Sequence, residues 1–185
     1  MNNDLLLVID MQNVYLDGEE WACLDTLGTA NRINQIIASK KCKNVIFTKY
    51  IASKNPVGVW KQYNAENATI NNTPWLNEMV EPLKKWEGTY PFYEKSTYSS
   101  LTVPEVLEAA KNADRVIVTG VVAECCVLST VMALIDAGIY TVYLTDGVSG
   151  LDTPKEDATK LILSGLSPLH VDLMTVEEYL HEEDK

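Results

Sequence analysis

The sequence predicts an α/β fold, a three-layer sandwich in which helices cover both faces of a six-stranded, mostly parallel sheet. Short apolar runs alternate with amphipathic segments along the chain, as is typical of strands that are joined by crossover helices. The first run, Leu5–Ile9, is apolar at every position, which indicates a strand buried on both faces. No repeat, linker or low-complexity stretch divides the chain, so we expect residues 1–185 to form a single domain.

Strands are predicted at the apolar runs and helices at the amphipathic segments between them. The strands are expected at Leu5–Ile9, Asn44–Thr48, Tyr90–Tyr93, Arg115–Thr119, Tyr140–Leu144 and Pro168–Asp172. Helices are expected at Thr26–Ser39, from Pro104 to about Lys111, at Glu124–Asp136, from Thr153 to about Gly165, and from Thr175 onward. Thr102 and Glu105 also have the spacing of a helix capping box.

The segment from Tyr50 to Phe92 departs from this alternation. It contains Trp60, Trp75 and Trp86 together with four prolines, and it shows little regular patterning. Long irregular segments of this kind are usually functional, although a surface loop with aromatic side chains packed on the core is also an acceptable interpretation. The density of aromatic residues favours a pocket wall or a subunit interface, and therefore a homodimer or larger homo-oligomer.

The charge balance excludes several classes of partner. The chain has 15 Lys and Arg residues against 26 Asp and Glu residues, a formal net charge of −11, which disfavours a nucleic-acid or anionic-membrane surface. No apolar run approaches the roughly 20 residues that span a bilayer, and the N-terminus lacks the features of a signal peptide. We therefore expect a cytoplasmic protein whose four cysteines are reduced thiols.

Three chemically reactive side chains follow three of the predicted strands. Asp10 follows the first strand, Lys95 the third, and Cys125 and Cys126 the fourth. Taken singly, an Asp is often a helix cap, a Lys a solvated charge and a Cys a core residue. In an open α/β sheet, however, ligands bind beyond the carboxyl ends of the strands, so the joint placement of carboxylate, ammonium and thiol predicts an active site.

The sequence around these residues resembles the isochorismatase-like cysteine hydrolases, the superfamily of nicotinamidases and N-carbamoylsarcosine amidases. The resemblance runs in register from residue 5 to about residue 180. It is carried by Leu-Leu-Leu-Val-Ile-Asp-Met-Gln-Asn-Val-Tyr at 5–15, Tyr-Glu-Lys-Ser-Thr-Tyr-Ser at 93–99, Val-Thr-Gly-Val-Val-Ala-Glu-Cys-Cys-Val-Leu-Ser-Thr at 118–130, and Ala-Gly-Ile at 137–139.

The resemblance implies a Rossmann-like sheet of strand order 3-2-1-4-5-6 and a role for each reactive residue. Asp10 would be the general base, Lys95 its charged partner and Cys126 the nucleophile. Cys126 is preferred to Cys125 because the family's cysteine stands six residues after a glycine and precedes a valine. The start of the predicted helix and Lys95 are both expected to favour the thiolate form of Cys126.

The resemblance also implies how the site would hold a carbonyl oxygen. The family has a cis peptide bond just after the glycine, here between Val121 and Val122. The backbone N–H groups of Val122 and Cys126 would then form an oxyanion hole. The substrate contacts expected at the opening of the site are Gln12, Tyr15 and Trp60, which favour a small planar molecule.

These features together predict an enzyme that hydrolyses a C–N bond of a small amide, ureide or carbamoyl compound through a cysteine acyl-enzyme. We expect neither a cofactor nor a metal, because residues 47–51 (Phe-Thr-Lys-Tyr-Ile) lack the Asp-x-His of metal-binding nicotinamidases. The alternatives are a metal-free nicotinamidase or pyrazinamidase, and a non-catalytic module of the same fold that uses Cys125 and Cys126 in redox sensing. A Cys–His pair with His170 is disfavoured by the distance between the strands concerned.

Overall fold

A parallel sheet lies at the centre of the molecule. The computed structural model describes residues 3–183. Within these residues six strands pair in the order 3-2-1-4-5-6, and all the pairings are parallel. They are β1 (Leu5–Ile9), β2 (Asn44–Tyr50), β3 (Phe92–Lys95), β4 (Val116–Val121), β5 (Thr141–Ser149) and β6 (Val171–Met174). The predicted α/β fold and strand order are confirmed.

Helices cover both faces of the sheet. In the described part of the chain they are α1 (Thr26–Ser39), α2 (Trp60–Glu66), α3 (Ala68–Asn71), α4 (Pro74–Asn77), α5 (Glu81–Lys84), α6 (Pro104–Lys111), α7 (Leu128–Asp136), α8 (Thr153–Ser164) and α9 (Val176–His181). Among the described residues no helix combines the length and the hydropathy that crossing a bilayer requires.

Side-chain alternation along β1 divides the core into two layers. Leu6 and Val8 point to the face that is covered by α1, α5 and α9. Leu5, Leu7 and Ile9 point to the opposite face, which α6, α7 and α8 cover. Because β1 has helices on both sides, all five of its residues are buried, as the unbroken apolar run predicts.

Several predicted boundaries are wrong by a few residues, and the reason is local backbone pairing. The third strand begins at Phe92 instead of Tyr90, because the Tyr90 N–H donates to the Trp86 carbonyl in a turn. Lys95 is therefore the last residue of β3 rather than a residue beyond it. The sixth strand begins at Val171 instead of Pro168, because the chain turns first, with the His170 N–H donating to Leu166 O.

One predicted helix start and one predicted helix cap are also wrong. The predicted helix from Glu124 begins instead as a π-helical turn at Ala123–Val127, which continues into α7. The capping box of Thr102 and Glu105 does not form. The N-cap residue of α6 is Val103, and the Thr102 hydroxyl donates to Ser99 O at 2.8 Å, so it does not cap the helix.

The irregular segment after β2 folds into the short helices α2 to α5 and packs on the loop that follows β1. Met79 forms an isolated antiparallel bridge with Gln12, and the Val80 N–H donates to Met11 O at 2.9 Å. Asn13 is held by the same segment, since its side chain donates to Trp75 O at 2.8 Å. The segment therefore braces the backbone next to Asp10.

Gly120 allows β4 to approach β1 closely at the edge where the reactive residues lie. Its φ is +110°, and a Cβ atom built there would lie 2.1 Å from the carbonyl oxygen of Ile9. No side chain fits in that space, and an L-residue would also be strained at this φ. A glycine at this position is therefore needed to bring the end of β4 next to Asp10.

We expect Gly120→Ala to lower the free energy of unfolding by about 2 kcal/mol or more, because backbone atoms on both strands would have to move. Chemical denaturation followed by circular dichroism measures this. Gly138→Ala is the matched control, since Gly138 also has a positive φ but a Cβ there would meet no atom within 4 Å. A smaller loss in Gly120→Ala than in Gly138→Ala would contradict the steric argument.

Candidate active site

Asp10, Lys95 and Cys126 meet beyond the carboxyl ends of the central strands. Asp10 directly follows β1, Lys95 ends β3, and Cys126 lies in the π-helical turn after β4. Lys95 Nζ is 2.5 Å from Asp10 Oδ2 and 3.4 Å from Cys126 Sγ. The side chains of Asp10 and Lys95 are fully buried. The structure therefore brings the three residues of the predicted catalytic set into one contact group.

The carboxylate and the ammonium are each held by further hydrogen bonds. Asp10 Oδ1 accepts from the Thr48 hydroxyl at 2.8 Å, and the Asp10 N–H donates to Thr48 O at 3.0 Å. Lys95 Nζ also donates to Thr97 O at 3.0 Å. Asp10 Oδ2 is engaged by the Lys95 ion pair, and within residues 3–183 it accepts no other hydrogen bond. These contacts fix the orientation of the carboxylate towards the thiol.

A chain of hydroxyl groups joins the base side of the site to the nucleophile side. The Thr48 hydroxyl is 3.4 Å from that of Ser100, which in turn lies 3.4 Å from the Thr130 hydroxyl. Thr130 Oγ1 also donates to the carbonyl of Cys126 at 2.7 Å. Sequence reasoning missed these three residues, although Thr48 ends the predicted second strand at the same edge as Asp10.

The backbone before Cys126 has the form that the resemblance implies. The peptide bond between Val121 and Val122 is cis. The Val122 carbonyl accepts from the N–H groups of Cys125 at 3.0 Å and Val127 at 3.1 Å, so it is directed into the π-helical turn. Cys126 lies between these two donors, with its side chain next to Lys95.

The electrostatics of the thiol differ from the sequence-based prediction. Burial and the Asp10 carboxylate raise the pKa of the Cys126 thiol well above its ordinary value, and Lys95 only partly opposes them. Burial disfavours the charged form of Lys95, but Asp10 and Cys126 outweigh it and hold the pKa of Lys95 above its usual value. Lys95 favours the thiolate, as the sequence predicts, but burial and Asp10 outweigh it, so the pKa of the free thiol is raised and not lowered.

A cavity of about 240 Å³ opens above Cys126. Its walls combine aromatic, aliphatic, thiol and carboxylate side chains: Tyr15, Glu20, Trp21, Tyr50, Tyr63, Tyr98, Val122, Cys125, Cys126 and Leu151. Tyr15 is thus placed where a substrate contact was predicted. The remaining walls come from separate segments of the chain, so the cavity is assembled by tertiary structure.

Gln12 does not line this cavity, which corrects its predicted role as a substrate contact. Its amide nitrogen donates to Tyr50 O at 3.0 Å and to Asn77 O at 3.1 Å. Its side-chain oxygen accepts from the Tyr50 N–H at 2.7 Å. The side chain therefore joins the loop after β1 to the end of β2 and to α4, and acts in positioning the cavity wall.

Trp60, which was also predicted to contact the substrate, does not line this cavity. It packs edge-on against Tyr63 and Tyr98, with ring centroids 5.3 Å and 5.0 Å away, and those two rings line the cavity in its place. The tryptophan that does line the cavity is Trp21, whose ring lies 5.9 Å from that of Tyr15. Trp21 lies outside the aromatic-rich segment, so the sequence pattern did not single it out.

The two histidines are placed away from the thiol. His170 immediately precedes β6, so it lies at the amino end of its strand, whereas Cys126 follows the carboxyl end of β4. His181 ends α9. A Cys–His pair is therefore excluded by topology. Among residues 3–183, no group of three or more His, Cys, Asp or Glu side chains is arranged to hold a metal ion.

The family to which the chain is similar can now be stated. The family profile described as "Isochorismatase domain" matches residues 4–178, which is most of the chain. The chain belongs to the isochorismatase family. Membership identifies an isochorismatase-like hydrolase, while the bond that is cleaved and the substrate vary among such proteins. No curated protein matches the sequence significantly.

Solved structures share the fold of this isochorismatase-family protein at low sequence identity. A cysteine hydrolase from Pseudomonas syringae pv. phaseolicola 1448A has a TM-score of 0.82 at 18% identity, over 96% of this chain and 91% of that one. An isochorismatase family protein from Desulfovibrio vulgaris subsp. vulgaris str. Hildenborough has a TM-score of 0.78 at 18% identity, over 97% of both chains. The pyrazinamidase of Pyrococcus horikoshii in complex with zinc has a TM-score of 0.70 at 17% identity, over 94% of this chain and 99% of that one.

The position of the thiol proton can be tested with Asp10→Asn. Removing the carboxylate leaves the Cys126 thiolate as the partner of Lys95, so the pKa of the thiol should fall and its alkylation by iodoacetamide at neutral pH should accelerate about tenfold or more. Asparagine suits the site because Asp10 has a φ of +52°, which Asn tolerates well. Peptide mapping of the alkylated protein gives the rate at Cys126, with Cys42 as an internal reference. Slower alkylation in the variant would contradict the proposed role of Asp10 in raising the thiol pKa.

Proposed function

We propose that the protein hydrolyses a C–N bond of a small amide, ureide or carbamoyl compound through a covalent acyl-enzyme on Cys126. The observation that carries the proposal is the buried contact group of Asp10, Lys95 and Cys126 at the floor of the cavity. A thiol beside a carboxylate and an ammonium provides a nucleophile, a proton acceptor and a positive charge in one place. The cavity has the size for a small molecule and excludes a polymer chain from its interior.

In the first step, the Cys126 thiol transfers its proton to Asp10 as its sulfur attacks the substrate carbonyl. The transfer leaves the net charge of the contact group unchanged, because one anion replaces another beside Lys95. In a buried site this matters, since creating an unpaired charge there would be costly. We propose that the N–H groups of Val122 and Cys126 stabilise the negative charge that forms on the carbonyl oxygen as the sulfur bonds to the carbonyl carbon.

In the second step the C–N bond breaks and the leaving nitrogen takes the proton from Asp10. Water then enters, gives a proton to Asp10 and attacks the thioester carbon. The C–S bond breaks, Cys126 recovers its proton, and the acid is released. The overall balance is one amide and one water converted to one acid and one amine, with Asp10 acting alternately as base and acid.

Two alternative functions are less well supported by the geometry. A metal-free nicotinamidase or pyrazinamidase is a special case of the same chemistry, but several rings of the cavity stand nearly at right angles and do not form a slot for one flat ring. A non-catalytic module would not need a buried ion pair in contact with a thiol, because burying these charges is costly unless they are paired and used. Redox sensing by Cys125 and Cys126 would require a strained bridge between adjacent residues.

Replacing the proposed nucleophile tests the mechanism. We expect Cys126→Ala to lower amide hydrolysis about a thousandfold or more, because no other side chain can form the acyl-enzyme. The unfolding free energy should change by only about 1 kcal/mol, because the thiol is small and contacts charged groups. The measurement is ammonia release over a panel of nicotinamide, pyrazinamide, N-carbamoyl amino acids, biuret, ureidoacrylate and maleamate.

Two cysteine variants serve as controls. Cys42→Ala should leave the rate unchanged, because Cys42 is buried against Tyr179 outside the cavity. Cys125→Ala should keep the reaction and change mainly KM, since Cys125 lines the cavity wall. Activity in Cys126→Ala together with its loss in Cys125→Ala would show that the nucleophile is the neighbouring cysteine.

We also propose that the protein is a homodimer or a larger homo-oligomer, and the cytoplasmic location stays a prediction. The aromatic-rich segment that suggested an interface exposes Val57 and Val59, which are 71% and 83% exposed. They immediately precede α2, whose Tyr63 lines the cavity, so a subunit contact there would adjoin the site.

Analytical ultracentrifugation tests the oligomer. The wild-type protein should sediment as a dimer or larger at micromolar concentration, and the double variant Val57→Ser, Val59→Ser should shift towards the monomer because apolar burial is lost. Leu161→Ser is the control, since Leu161 is similarly exposed but lies on α8. A wild-type monomer would refute the proposal.

A further inference from the structure

The cavity above Cys126 is a box of aromatic rings. Tyr15, Trp21, Tyr50, Tyr63 and Tyr98 line it. Trp21 contacts three of the other rings. Its ring centroid lies 5.9 Å from that of Tyr15, 6.2 Å from that of Tyr50 and 6.2 Å from that of Tyr63. The Tyr50 and Tyr63 rings meet nearly at right angles, at 88°, and so do those of Tyr63 and Tyr98, at 80°. The rings therefore enclose the space from several directions, whereas a slot for one flat molecule would need parallel walls.

The charged side chain in the lining of the box is negative. Within the described part of the chain, the lining contains the carboxylate Glu20 and no Lys, Arg or His. Lys95 lies below the floor and is fully buried, and its charge is matched by Asp10 at 2.5 Å. The contact group therefore adds no net charge, so the ionised side chain that a molecule in the cavity meets directly is Glu20, which is exposed to solvent.

Two further carboxylates, those of Glu124 and Glu156, lie behind the part of the cavity wall that Cys125 and Leu151 form. Glu124 Oε1 accepts from the Leu151 N–H at 3.3 Å, and Glu124 Oε2 is buried without a hydrogen-bond partner among residues 3–183. Glu156 Oε1 accepts from the Gly150 N–H at 2.7 Å. Lys160 is 3.6 Å from Glu156, and Lys155 is paired with Asp152, so one excess negative charge is left near this wall.

We propose that the substrate carries a cationic group, an ammonium or quaternary ammonium, which the aromatic box and Glu20 hold while the scissile amide lies at Cys126. The amide part of this proposal rests on the proposed function, and the cation part does not. Ring faces are negative, and a cation within about 6 Å of a ring centroid is attracted, most strongly by Trp. A cation placed in a box of this kind contacts several ring faces at once, and the carboxylate neutralises it.

A neutral planar substrate is the competing occupant. It would gain stacking and burial from the same rings, but it would gain no electrostatic attraction from the Glu20 carboxylate or from the negative ring faces. An anionic substrate is disfavoured outright, because it would face Glu20 and the electron-rich ring faces without a cation in the lining. Probe molecules that have the same shape and differ only in charge therefore distinguish a cationic substrate from a neutral one.

Binding of matched probes tests the cation site without depending on catalysis. The probes are choline and its uncharged isostere 3,3-dimethylbutan-1-ol, titrated into the full-length protein and followed by isothermal calorimetry. We expect choline to bind about tenfold more tightly than the isostere, with a dissociation constant in the millimolar range or below. Equal or tighter binding of the isostere, or no binding of either probe at about 50 mM, would overturn the proposal.

Variants of single residues identify the groups that recognise the charge. Glu20→Gln and Trp21→Leu should each reduce the preference for choline about fivefold or more, and should affect the isostere less. Glu19→Gln is the matched control for charge, because Glu19 adjoins Glu20 without lining the cavity, and Trp75→Leu is the control for a tryptophan outside it. An equal loss of preference in Glu19→Gln would show that the effect is one of overall charge.

A hydrolysis assay links the cation site to the proposed reaction. Trimethylglycinamide and 3,3-dimethylbutanamide have the same shape and the same amide, and differ in one positive charge. We expect kcat/KM for ammonia release to be about tenfold higher for the charged amide in the wild-type protein. Preference for choline without hydrolysis of either amide would refute the proposed reaction but support the cation site, whereas faster hydrolysis of the neutral amide would refute the cation site alone.

Discussion

The buried ion pair of Lys95 and Asp10 is the interaction on which the rest of the site depends. Both side chains are fully buried, and two charges removed from water are tolerated only when they are paired and hydrogen-bonded. The structure meets this condition with the Thr48 hydroxyl on the carboxylate and the Thr97 carbonyl on the ammonium. The pair holds Lys95 beside Cys126 Sγ, and thereby holds a positive charge next to the thiol.

The strand order determines which residue types can form this pair. β3 and β1 are separated by β2, so their ends lie about 10 Å apart. Only a long side chain spans that distance, and Lys95 passes the ring of Tyr50, whose centroid is 5.8 Å from Nζ, to reach Asp10. A shorter cationic arm on β3 would not reach. The contact between Lys95 and Asp10 thus depends on the sheet topology as well as on the local sequence around each residue.

The same topology separates the contact group of Asp10, Lys95 and Cys126 from the aromatic rings of the cavity. These three residues lie at or just beyond the ends of β1, β3 and β4, where strand pairing holds the backbone. The aromatic box comes from the loop after β1, the end of β2, helix α2 and the loop after β3. Apart from the end of β2 these segments lie outside the sheet, so side chains of the box can change without disturbing the ion pair.

The sequence by itself determined the α/β fold and the three reactive residues, because both depend on local features. An apolar run such as Leu5–Ile9 is buried wherever it pairs, and a polar residue directly after it must lie at the carboxyl edge of the sheet. Tertiary structure alone decided the surroundings of the thiol and the walls of the cavity. The pKa of Cys126 is raised by burial and by Asp10, which is far away in sequence.

Gln12 and Trp60 were predicted to contact substrate, but neither lines the cavity. Long-range packing binds Gln12 to the backbone of Tyr50 and places Trp60 behind Tyr63 and Tyr98. Trp21 takes its place in the cavity, because which side chain faces an enclosed space depends on how distant segments pack together.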